Sequence, residues 1–170
     1  FLKVLDDAAQ NNSSLEVRFA CLAASAHPAN VVGPHDRALG VKRLCDRLRV
    51  PGACRDLAML TVRVDSNLES LDPIDPSALY EFVESVDAFR QPQRFEKLLE
   101  TLELLNTICL GEAKTVRVIN AIRLAYQAAS RLDAKSVARA AALAGSSGLA
   151  IGQAIKRARI DSIASVAALE

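Results

Sequence analysis

Apolar residues recur along most of this chain at three- and four-residue spacing, and nowhere do they alternate with polar ones long enough to make a half-buried strand. The pattern predicts about nine helices and no sheet. The first spans 2–9 and ends at Asn11-Asn12-Ser13-Ser14; Ser14, followed by Glu16 and Val17, opens a second that runs to 25. Residues 26–34 hold two prolines and a glycine and read as a loop. A helix over 35–49 follows, with Ala38, Val41, Leu44, Cys45 and Leu48 as its apolar stripe. Pro51 sits in the first turn of the next, where its missing N–H costs nothing, and that helix continues to 68.

Asp75 and Pro76 read as an N-cap and a proline at the first helical position, ahead of a helix over 77–89. Arg90-Gln91-Pro92 separates it from another over 93–110, which Gly111 stops. Three more are predicted over 113–131, 134–144 and 147–168, with Asp133 capping the second and Gly145-Ser146-Ser147-Gly148 dividing it from the third. The connections are short, as packed helical hairpins require. Phe19 and Leu22 of the second helix are expected in the core.

Composition sharpens this. Hydrophobic residues make up 51% of the chain but aromatic ones only 4%, with no Trp, so Leu, Ala, Val and Ile must do the packing, and they favour helices. Cys21, Cys45, Cys54 and Cys109 stand at wide intervals without a CxxC pair and read as reduced, mostly buried thiols in a cytoplasmic protein. The apolar run 137–151 is broken by Arg139 and by the Gly-Ser turn, short of the roughly 20 residues a membrane span needs. Phe1 is not a start residue and Met59 is the sole methionine, so the chain reads as a piece of something longer.

A net charge of +1 hides an uneven distribution. Residues 1–112 carry 12 Lys and Arg against 17 Asp and Glu, whereas 113–170 carry 9 against 3. The second part is therefore the candidate polyanion-binding surface.

Several phrases, in order, carry a resemblance. They are Leu5-Asp6-x-Ala8-Ala9, then Leu15-x-Val17-Arg18-Phe19-Ala20-x-Leu22, then Gly40-Val41-Lys42 through Leu44-Cys45-x-Arg47-Leu48-Arg49-Val50-Pro51, and Arg55-Asp56-Leu57-Ala58. Asp87-Ala88-Phe89-Arg90-Gln91-Pro92-Gln93-Arg94 follows, and the chain closes on Gly145-x-x-Gly148-x-x-Ile151 and Arg157-x-Arg159-Ile160. Together they resemble the HD-domain half of bacterial tRNA nucleotidyltransferases, the CCA-adding enzymes. The resemblance implies an all-α helical bundle with an HD-like part over 1–112, followed by a basic helical tail over 113–170 packed on it. It also implies a separate amino-terminal nucleotidyltransferase head that would use Mg and CTP or ATP, tRNA as the partner of the parent enzyme, and no cofactor in this part.

The family's phosphohydrolase site needs an adjacent His-Asp pair at a helix end plus further His and Asp from neighbouring helices, which bind a divalent ion that activates water. Ala24-Ser25 stand where that pair is expected, and Asp65 and Glu69 where further histidines are expected. His27 and His35 are the chain's two histidines. His35-Asp36 spells the dipeptide but opens a later helix, where an Asp reads as a group at the positive helix end. A rearranged set of His27, His35, Asp36 and Asp65 is the alternative metal site. No Gly-rich phosphate loop, HExxH or GxSxG occurs.

The leading reading is an RNA-supporting domain without catalysis of its own, its phosphate contacts drawn from Arg117, Arg123, Arg131, Lys135, Arg139, Lys156, Arg157 and Arg159. An active HD-type phosphohydrolase and a structural or homodimerising helical module are the alternatives.

Overall fold

The computed structural model describes residues 2–26, 34–68, 71 and 73–167. Among them are nine α-helices and no strand: α1 (Leu2–Gln10), α2 (Leu15–Ser25), α3 (Pro34–Leu48), α4 (Gly52–Leu68), α5 (Pro76–Ser85), α6 (Pro92–Leu110), α7 (Glu112–Arg131), α8 (Ala134–Leu143) and α9 (Gly148–Ala167). The expected loop falls mostly on 27–33, and His27, Glu69 and the side chain of Cys109 likewise lie outside the described residues.

The helix starts follow local chemistry. Ser14 accepts the Val17 N–H at 3.4 Å, and Asp75 accepts the Ser77 N–H at 2.9 Å ahead of Pro76. Asp133 accepts from the Lys135 and Ser136 N–H groups at 3.0 and 3.3 Å and from the Ser136 hydroxyl at 2.6 Å. That hydroxyl, together with the Ser136 N–H, holds the Asp133 carboxyl below its ordinary range. Gly111 leaves α6 at φ 82°, a backbone angle that glycine adopts without strain. Pro51 stands one residue ahead of α4, not inside it, and its carbonyl accepts the Arg55 N–H.

One boundary differs by four residues. α5 stops at Ser85, where a helix to 89 was expected, because Asp87 turns left-handed at φ 57°. The Ala88 N–H then bonds back to the Val83 carbonyl and the Asp87 N–H to that of Glu84, closing the helix end without a glycine. Asp tolerates this conformation better than most residues, and its carboxylate is held by Arg90 Nε at 2.8 Å. The consequence is that Phe89 sits on a turn rather than on a helix.

The chain divides into two compact units. The first comprises residues 1–71 and 91–119, the second 72–90 and 120–170. Helix α5 packs on α9 and so groups with the later helices. In the first unit α4 lies against α2, α3 and α6, and α2 also meets α1 and α6. Its core holds Val17, Ala20, Cys21, Leu57, Val62, Phe95, Leu98 and Leu102. Small residues let α2 pack closely: Ala20, Ala23 and Ala24 are buried, while the larger Phe19 and Leu22, expected inside, are only half-buried. Leu48 leaves the α3 stripe and is exposed, since the helix ends at that residue.

In the second unit α9 packs on α5 and α8, and the Ser162 hydroxyl donates to the Ala128 carbonyl of α7 at 3.1 Å. Among the described residues, α8 contributes none to the core. Its inner positions Ala134, Val137, Ala138 and Ala141 are half-buried, and Leu143 and Leu149 at the tip of the α8–α9 hairpin are 83% and 80% exposed.

Candidate nucleic-acid interface

The position at which the HD pair was expected closes α2 with a buried Ala24 and a half-buried Ser25. Asp65 of α4 is engaged on both oxygens: Arg37 Nη2 of α3 donates to Oδ2 at 3.1 Å, and Asn106 Nδ2 of α6 donates to Oδ1 at 3.1 Å. The Asn106 amide also donates to the Leu102 carbonyl at 2.9 Å. One carboxylate thus ties three helices. His35 and Asp36 are exposed in the first turn of α3, and His27 lies outside the described residues, so the alternative set is not brought together among those that are described. Among the described residues no group of three or more His, Cys, Asp or Glu side chains stands close enough to hold a metal ion. Among the described residues, Asp65, an expected ligand position, already holds a guanidinium.

Cys21, Cys45 and Cys54 are buried and free. Burial first, and then the Glu100 carboxylate, push the Cys21 thiol up to about 12; burial raises Cys45 and Cys54 as well. Such thiols do not ionise to nucleophiles near neutral pH.

The eight basic residues singled out in the sequence sort into different environments. Arg117 is exposed but belongs to the first unit, and the other seven belong to the second. Arg123 is half-buried and donates to Asn120 Oδ1 at 3.2 Å. Two more act inside the second unit. Arg159 lays its guanidinium 3.9 Å from the centroid of the Phe89 ring, and Lys156 pairs with Glu81 at 3.3 Å while standing 5.6 Å over the Tyr80 ring. Phe89 in turn lies 6.3 Å from Tyr80 and 5.9 Å from Tyr126, so α5, its turn, α7 and α9 share one cation–aromatic cluster. Burial and a 2.6 Å bond to Glu84 raise the Tyr80 hydroxyl, with Arg159 acting in the opposite direction. Sequence reasoning missed this cluster, although the pairing of scarce aromatics with basic residues in one region is the signal that could have shown it.

Arg131, Lys135, Arg139 and Arg157 remain exposed, and among the described residues none of their side chains has an acidic partner. Lys135 and Arg139 are one helical turn apart on the outer face of α8. None of the described helices is long and apolar enough to cross a membrane.

The class defined by these features is an all-α helical module with exposed, uncommitted cations on its later helices and with Asp65, an expected ligand position, engaged internally. The chain is a homologue of the Multifunctional CCA proteins. It is 38% identical over 173 residues to the Multifunctional CCA protein of Burkholderia multivorans, covering 96% of this chain and 41% of the relative. To that of Burkholderia cenocepacia it is 37% identical over 178 residues, with 99% and 42% covered, and to that of Burkholderia vietnamiensis 36% over 172 residues, with 95% and 41%. The chain thus spans about two fifths of the length of these curated relatives. No protein-family model and no solved structure matches it.

Proposed function

We propose that this chain is the helical part of a cytoplasmic tRNA nucleotidyltransferase, and that it holds tRNA while a nucleotidyltransferase head using Mg and CTP or ATP extends the 3′ end. It has no phosphohydrolase activity of its own. The observation that carries the reading is the set Arg131, Lys135, Arg139 and Arg157, exposed and without acidic partners among the described residues, in a homologue of Multifunctional CCA proteins. Cations on rigid helices neutralise phosphates and release counterions without needing a base code, which is how duplex RNA is held by shape.

Fluorescence anisotropy with tRNA across a salt series tests this. The chain should bind with a steep salt dependence. Replacing all four residues by Ala should lower the affinity and flatten the slope of log K against log salt by about 0.7 to 0.9 for each phosphate no longer neutralised. A folded quadruple variant with unchanged affinity and slope refutes it. One observation favours a second reading: Leu143 and Leu149 are 83% and 80% exposed on either side of a hairpin turn, as in a self-associating surface. Sedimentation of the chain decides that: a dimer abolished by Leu143→Ser/Leu149→Ser supports a dimerising module, and a monomer at every concentration removes it.

A further inference from the structure

Helix α3 and the turn after it gather cations in the part of the chain whose summed charge is negative. Lys42, Arg43, Arg47 and Arg49 are all exposed, and the one acid among them, Asp46, is held by Arg55 of α4 at 3.1 Å. Arg43 and Arg47 are one helical turn apart and so share a face. That face borders a cleft of about 480 Å³ in the first unit, with Ala23 and Ala26 from the end of α2 and Gly40, Val41 and Leu44 from α3 forming its uncharged, apolar lining. Among the described residues, no acid lines the cleft and neither arginine has an ion-pair partner.

Two guanidinium forks about 6 Å apart along a helix are suited to phosphate oxygens, which they bind by paired, charge-assisted hydrogen bonds. The uncharged lining beside them offers no hydrogen-bonding side chain that would ask for a particular base. The nature of the occupant follows from the local field. The cleft opens at the carboxy-terminal end of α2, whose carbonyls carry partial negative charge and weaken the hold on a lone small anion. A nucleic-acid strand overcomes this, because each phosphate neutralised also releases counterions. We propose that the α3 ridge is a second RNA-backbone contact, on the first unit, in which Arg43 and Arg47 hold neighbouring phosphates of one strand over this cleft. It rests on the reading of the chain as an RNA-holding domain and adds a site that the summed charge of residues 1–112 concealed.

The test uses the whole chain with tRNA, titrated by fluorescence anisotropy at several salt concentrations, with circular dichroism as the check on folding. Arg43→Gln/Arg47→Gln, which keeps most of the side-chain length, should weaken binding about tenfold or more and flatten the salt slope by about 1.4 to 1.8, the value for two phosphates. Arg43→Lys/Arg47→Lys should keep the slope and lose part of the affinity, since the charge remains and the fork does not. A folded Gln variant that binds like the parent chain overturns the proposal, as does absence of any tRNA binding by the parent chain. So does displacement of tRNA by AMP at micromolar concentration, which would mark the cleft as a mononucleotide site. A lowered melting temperature with unchanged binding overturns it too, because the arginines would then only offset the carbonyls at the end of α2. The variant in Arg131, Lys135, Arg139 and Arg157 separates the two readings: binding abolished there and kept in the Gln variant sinks the α3 contact alone, and the reverse sinks the second-unit contact alone.

Discussion

Replacing Arg37 by Met removes the guanidinium from Asp65 while keeping most of the side-chain volume. The two side chains are 22% and 20% exposed, so the pair lies between a surface ion pair and a sealed one. Surface pairs contribute below about 1 kcal/mol, and breaking a fully buried pair costs about 3 to 5 kcal/mol. The Asn106 amide still donates to the orphaned carboxylate, which keeps the cost toward the lower end, at about 1.5 to 2.5 kcal/mol. For a chain of this size that corresponds to a melting point lower by about 4 to 8 °C. Urea and thermal unfolding followed by circular dichroism measure it. Pairing Arg37→Met with Asp65→Asn should cost less than the sum of the two single changes by at least about 0.5 kcal/mol, because the second change removes the charge that the first left unpaired. A neutral Arg37→Met, or strict additivity in the double variant, refutes the view that this pair holds α3 to α4. A melting point of the parent chain that climbs on adding Mn or Ni would show instead that Asp65 exchanges its guanidinium for metal.

Three further outcomes follow from other sites. The Lys97 ammonium, 2.8 Å away, holds the Glu16 carboxyl down to about 2 from the usual 4.5. Since the folded value lies below the unfolded one, this contribution is complete above about 4.5 and disappears as pH falls toward about 2; Lys97→Met should flatten urea midpoints across that window, and an unchanged acid dependence would refute it. Native chain treated with iodoacetamide at neutral pH should carry no label on Cys21, Cys45 or Cys54 by peptide mass spectrometry and full label after unfolding, whereas prompt native labelling would contradict their burial. Arg159→Ala should destabilise the chain by about 1 to 2 kcal/mol through loss of packing and of the cation–aromatic interaction with Phe89, while Arg157→Ala should leave stability unchanged; equal effects in urea unfolding would contradict the division of these neighbours into structural and exposed roles.

Helix number and most helix ends were legible in the sequence because they depend on neighbours within a few residues. Apolar spacing, Ser14, Asp75 with Pro76, Asp133 and Gly111 each act on the backbone beside them, and each is found in its expected place. The end of α5 was not legible, since Asp87 takes a left-handed angle that residue type permits but does not demand. Resemblance in ordered phrases reached the homology with the Multifunctional CCA proteins.

Tertiary structure alone decided which charges are committed. Arg37 meets Asp65 across 28 positions, Asn106 meets Asp65 across 41, Lys156 meets Glu81 across 75, and Lys97 meets Glu16 across 81. Nothing in local sequence distinguishes Lys156 and Arg159, committed to Tyr80, Glu81 and Phe89, from the exposed Arg157 between them. Segment charge leaves out local detail at α3 for the same reason: the sum over residues 1–112 is negative, yet Arg43 and Arg47 border a cleft with no acid among its described lining residues. Charge acts over roughly 8 to 10 Å in physiological salt, so what a surface attracts is set by the few side chains that folding brings within that distance, and chain order does not record which they are.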